Sequence, residues 1–218
     1  MEIEAKFRVD DEDTFRQLLE VDTIGAFRLA PAPNPEEQRN TYFDTADGRL
    51  RAEQYGLRIR DLGDRRIATL KGAAQVQDGM YERDEWEATI GDNDRPESWP
   101  PGDVRDRTLA LLGGRTLQPI LTINTLRRHI FVERAGARIA ELSLDEGTIN
   151  AGGREARLRE LEVELLPSGT RAAFEELVGL LRERFPLAPE NRSKLQRGLM
   201  LLDQARGEAG SVASSGGE

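Results

Sequence analysis

At six places in this chain, side chains that carry a charge or a hydroxyl fall on every second residue, with mostly apolar residues between them. Glu2, Glu4 and Lys6 alternate in this way. So do Arg58 and Arg60; Thr69 and Lys71; Arg83, Glu85 and Glu87; Thr125 and Arg127; and Glu160, Glu162 and Glu164. The intervening residues include Ile3, Leu57, Ile59, Leu70, Trp86, Leu126, Leu161, Val163 and Leu165. A period of two belongs to β-strands and sends the two sets to opposite faces. One dry face and one wet face explain any single stretch. They explain the set less well, because same-sign clusters repel unless opposite charge sits between them. Closing the sheet into a barrel puts the apolar positions outside, under helices, and the charges in a lumen.

With Lys194 added, the alternating set holds seven acids and seven bases. Such a lumen is near neutral when empty and suits a polyanion held with divalent cations: a triphosphate adds about four negative charges, which two Mg²⁺ would match. The chain has no cysteine and one histidine, His129, so thiolate and histidine-rich metal sites are excluded. A metal must be held by carboxylates, which points to Mg²⁺ or Mn²⁺. A net charge of −9 argues against nucleic acid as a partner. No apolar run is long enough to span a bilayer, and the opening MEIEAKF lacks the basic and apolar regions of a signal peptide. The expectation is a cytoplasmic protein that does not engage membranes.

Of 31 basic residues only Lys6, Lys71 and Lys194 are lysines. A compositional bias toward arginine accounts for the rest. The three exceptions mark positions that need a compact ammonium rather than a planar fork.

Along the chain, strands are predicted at 2–9, 38–44, 57–61 and 65–71 (a hairpin), 81–90, 119–133, 137–144 and 157–166. Helices are predicted at about 12–20, capped by Asp10 or Asp11; at 104–112, stopped by Gly113-Gly114; from a Ser168 cap to 182; and at 191–206. The strands are mostly neighbours in sequence, which favours an α+β fold: one antiparallel sheet with attached helices, in a single domain over 1–206. The tail 207–218 is poor in apolar residues and is expected to be disordered.

The opening Glu2-Ile-Glu4-Ala-Lys6 resembles the ExExK motif of the CYTH domain, the triphosphate tunnel metalloenzyme superfamily. Tyr42-Phe43-Asp44-Thr45 is similar to that family's YFDT segment, Leu57–Arg60 to its RxR strand, Thr69–Gly72 to its TLKG strand, and Arg83–Glu87 to its RxExE strand. Thr125-x-Arg127 falls where a basic pair or a single arginine is expected. Glu141–Gly147, Glu160–Glu164 and Ser193-Lys194 resemble the ELxLDxG segment, the late acidic strand and the lysine of the C-terminal helix. These matches run in order over about 1–200, and all three lysines fall on them.

The resemblance implies a closed eight-stranded antiparallel barrel, with helices packed outside, that hydrolyses or rearranges triphosphates with Mg²⁺ or Mn²⁺. It implies metal binding by Glu2, Glu4, Glu160 and Glu162, with Glu164 and Asp145 as further candidates, Glu164 being otherwise a solvated residue at the mouth. Lys6, Arg58, Arg60, Lys71, Arg83, Arg127 and Lys194 would bind substrate, Glu2, Glu4, Lys6, Lys71 and Arg127 standing nearest the chemistry. Glu85 and Glu87 would orient the basic groups. Thr125 departs from the pattern, since relatives often carry a second basic residue there. Arg128 should face away, and His129 is expected at a strand end or on the surface without a catalytic role. Tyr42 reads as a core aromatic, and Trp86 as outward-facing. Inorganic triphosphate is the leading substrate; an adenylyl cyclase, a thiamine triphosphatase and a non-catalytic polyphosphate-binding module are the alternatives. The oligomeric state is left open.

Overall fold

A computed structural model describes residues 2–215, with side chains described up to 207. In chain order the elements are β1 (Glu2–Arg8), α1 (Glu12–Glu20), β2 (Thr23–Ile24), β3 (Phe27–Pro31), β4 (Glu36–Thr45), α2 (Arg49–Ala52), β5 (Gly56–Asp61), β6 (Arg66–Lys71), β7 (Gln75–Gln77), β8 (Met80–Arg83), β9 (Glu85–Ile90), α3 (Asp103–Leu112), β10 (Leu117–Arg134), β11 (Ala137–Ala151), β12 (Arg154–Leu165), α4 (Arg171–Arg184), β13 (Ala188–Pro189) and α5 (Lys194–Ser215). Asp11 caps α1 by accepting from the Thr14 amide. The cap of α4 is Thr170, which accepts from the Ala173 amide, and not Ser168 as the sequence suggested.

All the strands belong to one antiparallel sheet, in the order β7-β8-β1-β12-β11-β10-β4-β5-β6-β9. Lys71 on β6 bonds Glu2 on β1, six places away in that order, so the sheet curls strongly. The expected eight-stranded closed barrel is not what the hydrogen-bonded ladder draws. Among the described residues there are thirteen strands, and the path ends at β7 and β9. The predicted strand 81–90 is split at Asp84, which takes no ladder position. On one side Arg83 pairs with Glu2 of β1; on the other Glu85 pairs with Lys71 of β6. The short strands β2, β3, β7 and β13 escape sequence reading because two to five residues carry too little periodicity.

Two apolar layers cover the outer face. Phe15, Leu18, Phe174, Leu177 and Leu181 of α1 and α4 pack on Phe7, Ile130, Leu142, Leu144, Leu161 and Val163. Around α2 and α3, Leu50, Val104 and Leu112 pack on Phe43, Leu57, Ile59, Leu70 and Trp99. Each fully buried Leu or Phe contributes roughly 1.5–3 kcal/mol. These helices lie outside the sheet as expected, and α5 does not. Leu121 and Ile123 share a face with Thr125 and Arg127, and they pack with Leu195, Leu199 and Leu202 of α5. The reason is strand length. β10, β11 and β12 span 18, 15 and 12 residues, longer than the charged patch, and their inner face turns apolar at Leu121, Ile123, Ile149 and Leu158. That end needs a cover, and α5 supplies it. α5 also continues to Ser215, past its expected end at 206, so residues 207–215 of the expected disordered tail are helical. Residues 216–218 lie outside the described ones.

Gly147 faces Thr125 in the register, and a Cβ there would lie 1.9 Å from the Asn124 carbonyl oxygen. Gly147→Ala must therefore open the β10–β11 ladder. A loss of about 3 kcal/mol in chemical denaturation is expected; a change below 0.5 kcal/mol would show that the two strands can separate freely.

Candidate functional site

The curled sheet encloses a cavity of about 710 Å³. Strands from both ends of the order line it. β1 presents Glu2, Glu4 and Lys6; β5 presents Arg58 and Arg60; β6 presents Lys71; β8 and β9 present Arg83, Glu85 and Glu87. Arg127 comes from β10, Glu162 and Glu164 from β12, and Lys194 from the start of α5. The six alternations thus converge on one space with the start of α5, because residues two apart on a strand share a face and the sheet bends toward that face.

The three lysines sit at the junctions of the charge lattice. Lys6 Nζ lies 3.0 Å from Glu4 and 2.9 Å from Glu162. Lys71 Nζ lies 3.1 Å from Glu2 and 2.6 Å from Glu85. Lys194 Nζ lies 2.8 Å from Asp145 and 2.7 Å from both Glu160 and Glu162. A compact ammonium with three donors fits between two or three carboxylates where a planar guanidinium would not. Burial pulls the Lys6 ammonium down, but Glu162 and Glu4 outweigh it and hold it well above the ordinary lysine value. Tyr81 lies beneath Lys6, with the ammonium 4.9 Å from the ring centroid. Arg83 donates to Glu2 at 2.8 Å and to Glu4 at 2.6 Å.

Asp145 and Glu160 differ from the other candidates. Both are fully buried and lie beneath the cavity wall, outside its lining. Arg127 donates to both oxygens of Asp145, at 2.7 and 2.6 Å, and to Glu162 at 2.7 Å. Glu160 accepts from Lys194 and Arg197. Burial opposes ionisation of Asp145, but Arg127 and Lys194 keep it below the usual aspartate value. Glu162 is likewise held well below its usual value, by Lys194, Lys6 and Arg127 against burial.

Two regions of the cavity stay unbalanced. On β12, Glu164 stands opposite Glu4 in the register. Glu164 is solvent-exposed where it lines the cavity; partial desolvation, then the carboxylates of Glu2, Glu4 and Glu85, push its carboxyl up to about 7. Across the cavity, Arg60 makes its side-chain hydrogen bond to the neutral Asn40, at 3.0 Å. Burial, then Arg58 and Arg127, pull its guanidinium down to about 10. Arg58 reaches Thr69 at 3.1 Å and is 3.5 Å from Glu87. Like charges crowd at both places, with the sign reversed. One place favours an added cation and the other an added anion.

Gln38, Asn40 and Thr125 also line the cavity. Sequence reading singled out neither Gln38 nor Asn40, since neutral residues carry no charge alternation; their period of two with Tyr42 was the available signal. Tyr42 both packs in the core and touches the cavity. Trp86 faces outward, under Arg107 at 4.2 Å. Arg128 faces away and pairs with Glu146 at 3.1 Å. His129 is neither at a strand end nor fully exposed. It is half-buried two residues beyond Arg127, with Nδ1 2.5 Å from Glu141, and lies outside the cavity lining.

Among known proteins, the chain is 31% identical over 163 residues to an inorganic triphosphatase of Haemophilus influenzae. That alignment covers 74% of this chain and 45% of the relative, so the chain spans less than half of that protein's length. A candidate adenylate cyclase of Bacillus halodurans has a similar structure, with a TM-score of 0.59 and 27% identity over 90% of this chain and 96% of that one. A candidate adenylyl cyclase of Hippeastrum, described as having a dominant triphosphatase activity, shares the fold with a TM-score of 0.69 and 22% identity over 92% and 96%. The CYTH domain model matches residues 1–199, in step with the convergence of the alternating charges on one cavity, and the chain belongs to the CYTH family.

Proposed function

We propose that this protein hydrolyses triphosphates, inorganic triphosphate foremost, with Mg²⁺ or Mn²⁺. The observation that carries the reading is the paired imbalance of one cavity. An acid cluster around Glu164 takes a cation, while the opposite wall of Arg58, Arg60 and Arg127 takes an anion. A metal–triphosphate complex carries both signs. We further infer that residues 80–90 act as one stave, paired first to β1 and then to β6, so that the curl works as a closed eight-stave tunnel.

In this reading Glu2, Glu4 and Glu164 would hold the metal, with Glu162 beside them. A bound Mg²⁺ or Mn²⁺ supplies neutralisation of phosphate oxygens and acidification of a water. Asp145 and Glu160 act from beneath, fixing Arg127 and Lys194 as basic contacts. Lys6, Lys71, Arg58, Arg60, Arg83, Arg127 and Lys194 grip the phosphate chain and hold the terminal phosphorus in line with an attacking water. Water adds to that phosphorus, its bridging P–O bond breaks, and pyrophosphate leaves. Glu85 and Glu87 position Lys71 and Arg58. Among the described residues, no helix is long and apolar enough to cross a membrane.

Phosphate release from inorganic triphosphate, ATP and thiamine triphosphate, with cyclic AMP assayed alongside, tests the reading. Inorganic triphosphate with Mg²⁺ or Mn²⁺ should give the highest kcat/KM, and EDTA should abolish turnover. Tight polyphosphate binding without turnover would make the protein a binding module; cyclic AMP as the main product would make it a cyclase.

The raised Glu164 carboxyl sets a pH dependence with a definite sign. Its ordinary value is 4.5 and its folded value about 7, so between these the folded protein binds the extra proton. The metal-free protein therefore loses stability as pH rises through this window. Glu164→Gln should raise the metal-free Tm at pH 8, leave it unchanged near pH 4, and reduce the stabilisation that Mg²⁺ gives at pH 8. Parallel Tm–pH curves for the two proteins would show that Glu164 is not crowded by acids.

A further inference from the structure

We propose that the Thr125 hydroxyl is a substrate contact, a neutral donor to the bound phosphate chain; this rests on the triphosphate reading above. Thr125 lies on the inner face of β10 between Ile123 and Arg127, and it lines the cavity. Its side chain is buried, and Oγ1 has no hydrogen-bond partner. A buried hydroxyl in a folded protein normally has a partner, and Thr125 differs from Thr108, the other unpartnered threonine among the described residues, in lining the cavity, where water or a ligand atom can supply one.

The flanks explain why no protein group supplies that partner. In the register Thr125 stands between Gln38 of β4 and Gly147 of β11. The Gln38 NH2 donates to Glu36, at 2.6 Å, and Gln38 makes no hydrogen bond to the Thr125 hydroxyl. Gly147 has no side chain to offer and no room for one, since the Asn124 carbonyl lies where a Cβ would go. No hydrogen bond fixes the hydroxyl, so rotation about χ1 between staggered wells would turn it toward a ligand in the cavity.

A neutral donor also suits this wall. Burial first, and then repulsion from Arg58 and Arg127, already depress the Arg60 guanidinium there. A further cation would deepen that repulsion in the empty protein. A hydroxyl adds a hydrogen bond to phosphate oxygen without adding a charge. The inner wall thus has a neutral row of Gln38, Asn40 and Thr125 between the β5 arginines and Arg127, and Thr125 is its member with a free donor.

The test is calorimetric binding of inorganic triphosphate to the metal-free protein, where turnover does not intervene, together with the ligand-free Tm. Thr125→Val keeps the shape and removes the hydroxyl. It should weaken triphosphate binding about tenfold or more and leave the ligand-free Tm unchanged or higher, because a buried orphan is removed. Thr125→Ser should bind like the parent. A structural hydroxyl would move the Tm the other way, so a lower ligand-free Tm in Thr125→Val overturns the assignment. Equal triphosphate affinity in Thr125→Val and the parent overturns it as well and leaves the triphosphate reading standing. Absence of triphosphate binding by the parent overturns this assignment, and absence of turnover with Mg²⁺ or Mn²⁺ as well overturns that reading.

Discussion

Glu4→Gln is expected to lower triphosphate turnover by about a hundredfold or more while the protein folds as before. Glu4 is 3% exposed and faces the cavity on β1, opposite Glu164. It is the carboxylate shared by Lys6, at 3.0 Å, and Arg83, at 2.6 Å. Glutamine keeps its volume and removes only the charge. Neither cation is orphaned, since Lys6 keeps Glu162 at 2.9 Å and Arg83 keeps Glu2 at 2.8 Å. Under the proposed function the loss should fall on metal binding and on the charge that develops at phosphorus, rather than on the fold. The measurement is kcat with inorganic triphosphate at saturating Mg²⁺, beside the Tm. Activity within a few-fold of the parent would remove Glu4 from the metal site.

Arg127→Leu should act on stability first, costing about 3–5 kcal/mol. Arg127 binds both oxygens of Asp145, which is fully buried, and also reaches Glu162. Without the guanidinium, Lys194 is the cation that remains on Asp145, and it is already shared with Glu160 and Glu162. Too much negative charge is then left in a desolvated layer, and unpaired buried charge costs more than the pair contributed. Removing the acid as well should recover part of the loss, so Arg127→Leu with Asp145→Leu is expected to be more stable than the single variant. Chemical denaturation at pH 7 reads both. A loss below 1 kcal/mol for the single variant would mean that water reaches Asp145 once the arginine is gone. Arg127→Lys keeps a charge but loses the two-oxygen fork, and it should fall between the parent and leucine in both stability and triphosphate affinity.

The β-strands that build the site were legible because charge alternation is a local property with a period the chain itself imposes. Glu2-Ile-Glu4-Ala-Lys6, at the head of the stretch 2–9, reads as a strand with its charges on one face, and β1 has that form. The three lysines were legible as exceptions to an arginine-rich composition, and each proves to sit among two or three carboxylates. The helices α1 and α3 were readable from their caps and stops.

What stayed hidden depended on distance along the chain. Asp145 and Glu162 look alike in sequence, as inward-facing acids on neighbouring strands, yet one is sealed beneath Arg127 and the other faces the cavity. The difference lies in which cations arrive from β10 and α5, and no local pattern encodes that. The position of α5 was hidden for the same reason. Its apolar stripe demands a partner but does not say which face of the sheet supplies it, and the apolar ends of β10–β12 decide. The break at Asp84 follows from one strand having to serve two neighbours, β1 and β6, at opposite ends of the sheet order. By itself, then, the sequence determined which residues share a face and which signs of charge that face carries, because a two-residue period needs nothing but the backbone. Only the tertiary structure decided which charges cancel and which stay unbalanced at Glu164 and Arg60, because Coulomb energy depends on separations between strands that the chain brings together from far apart.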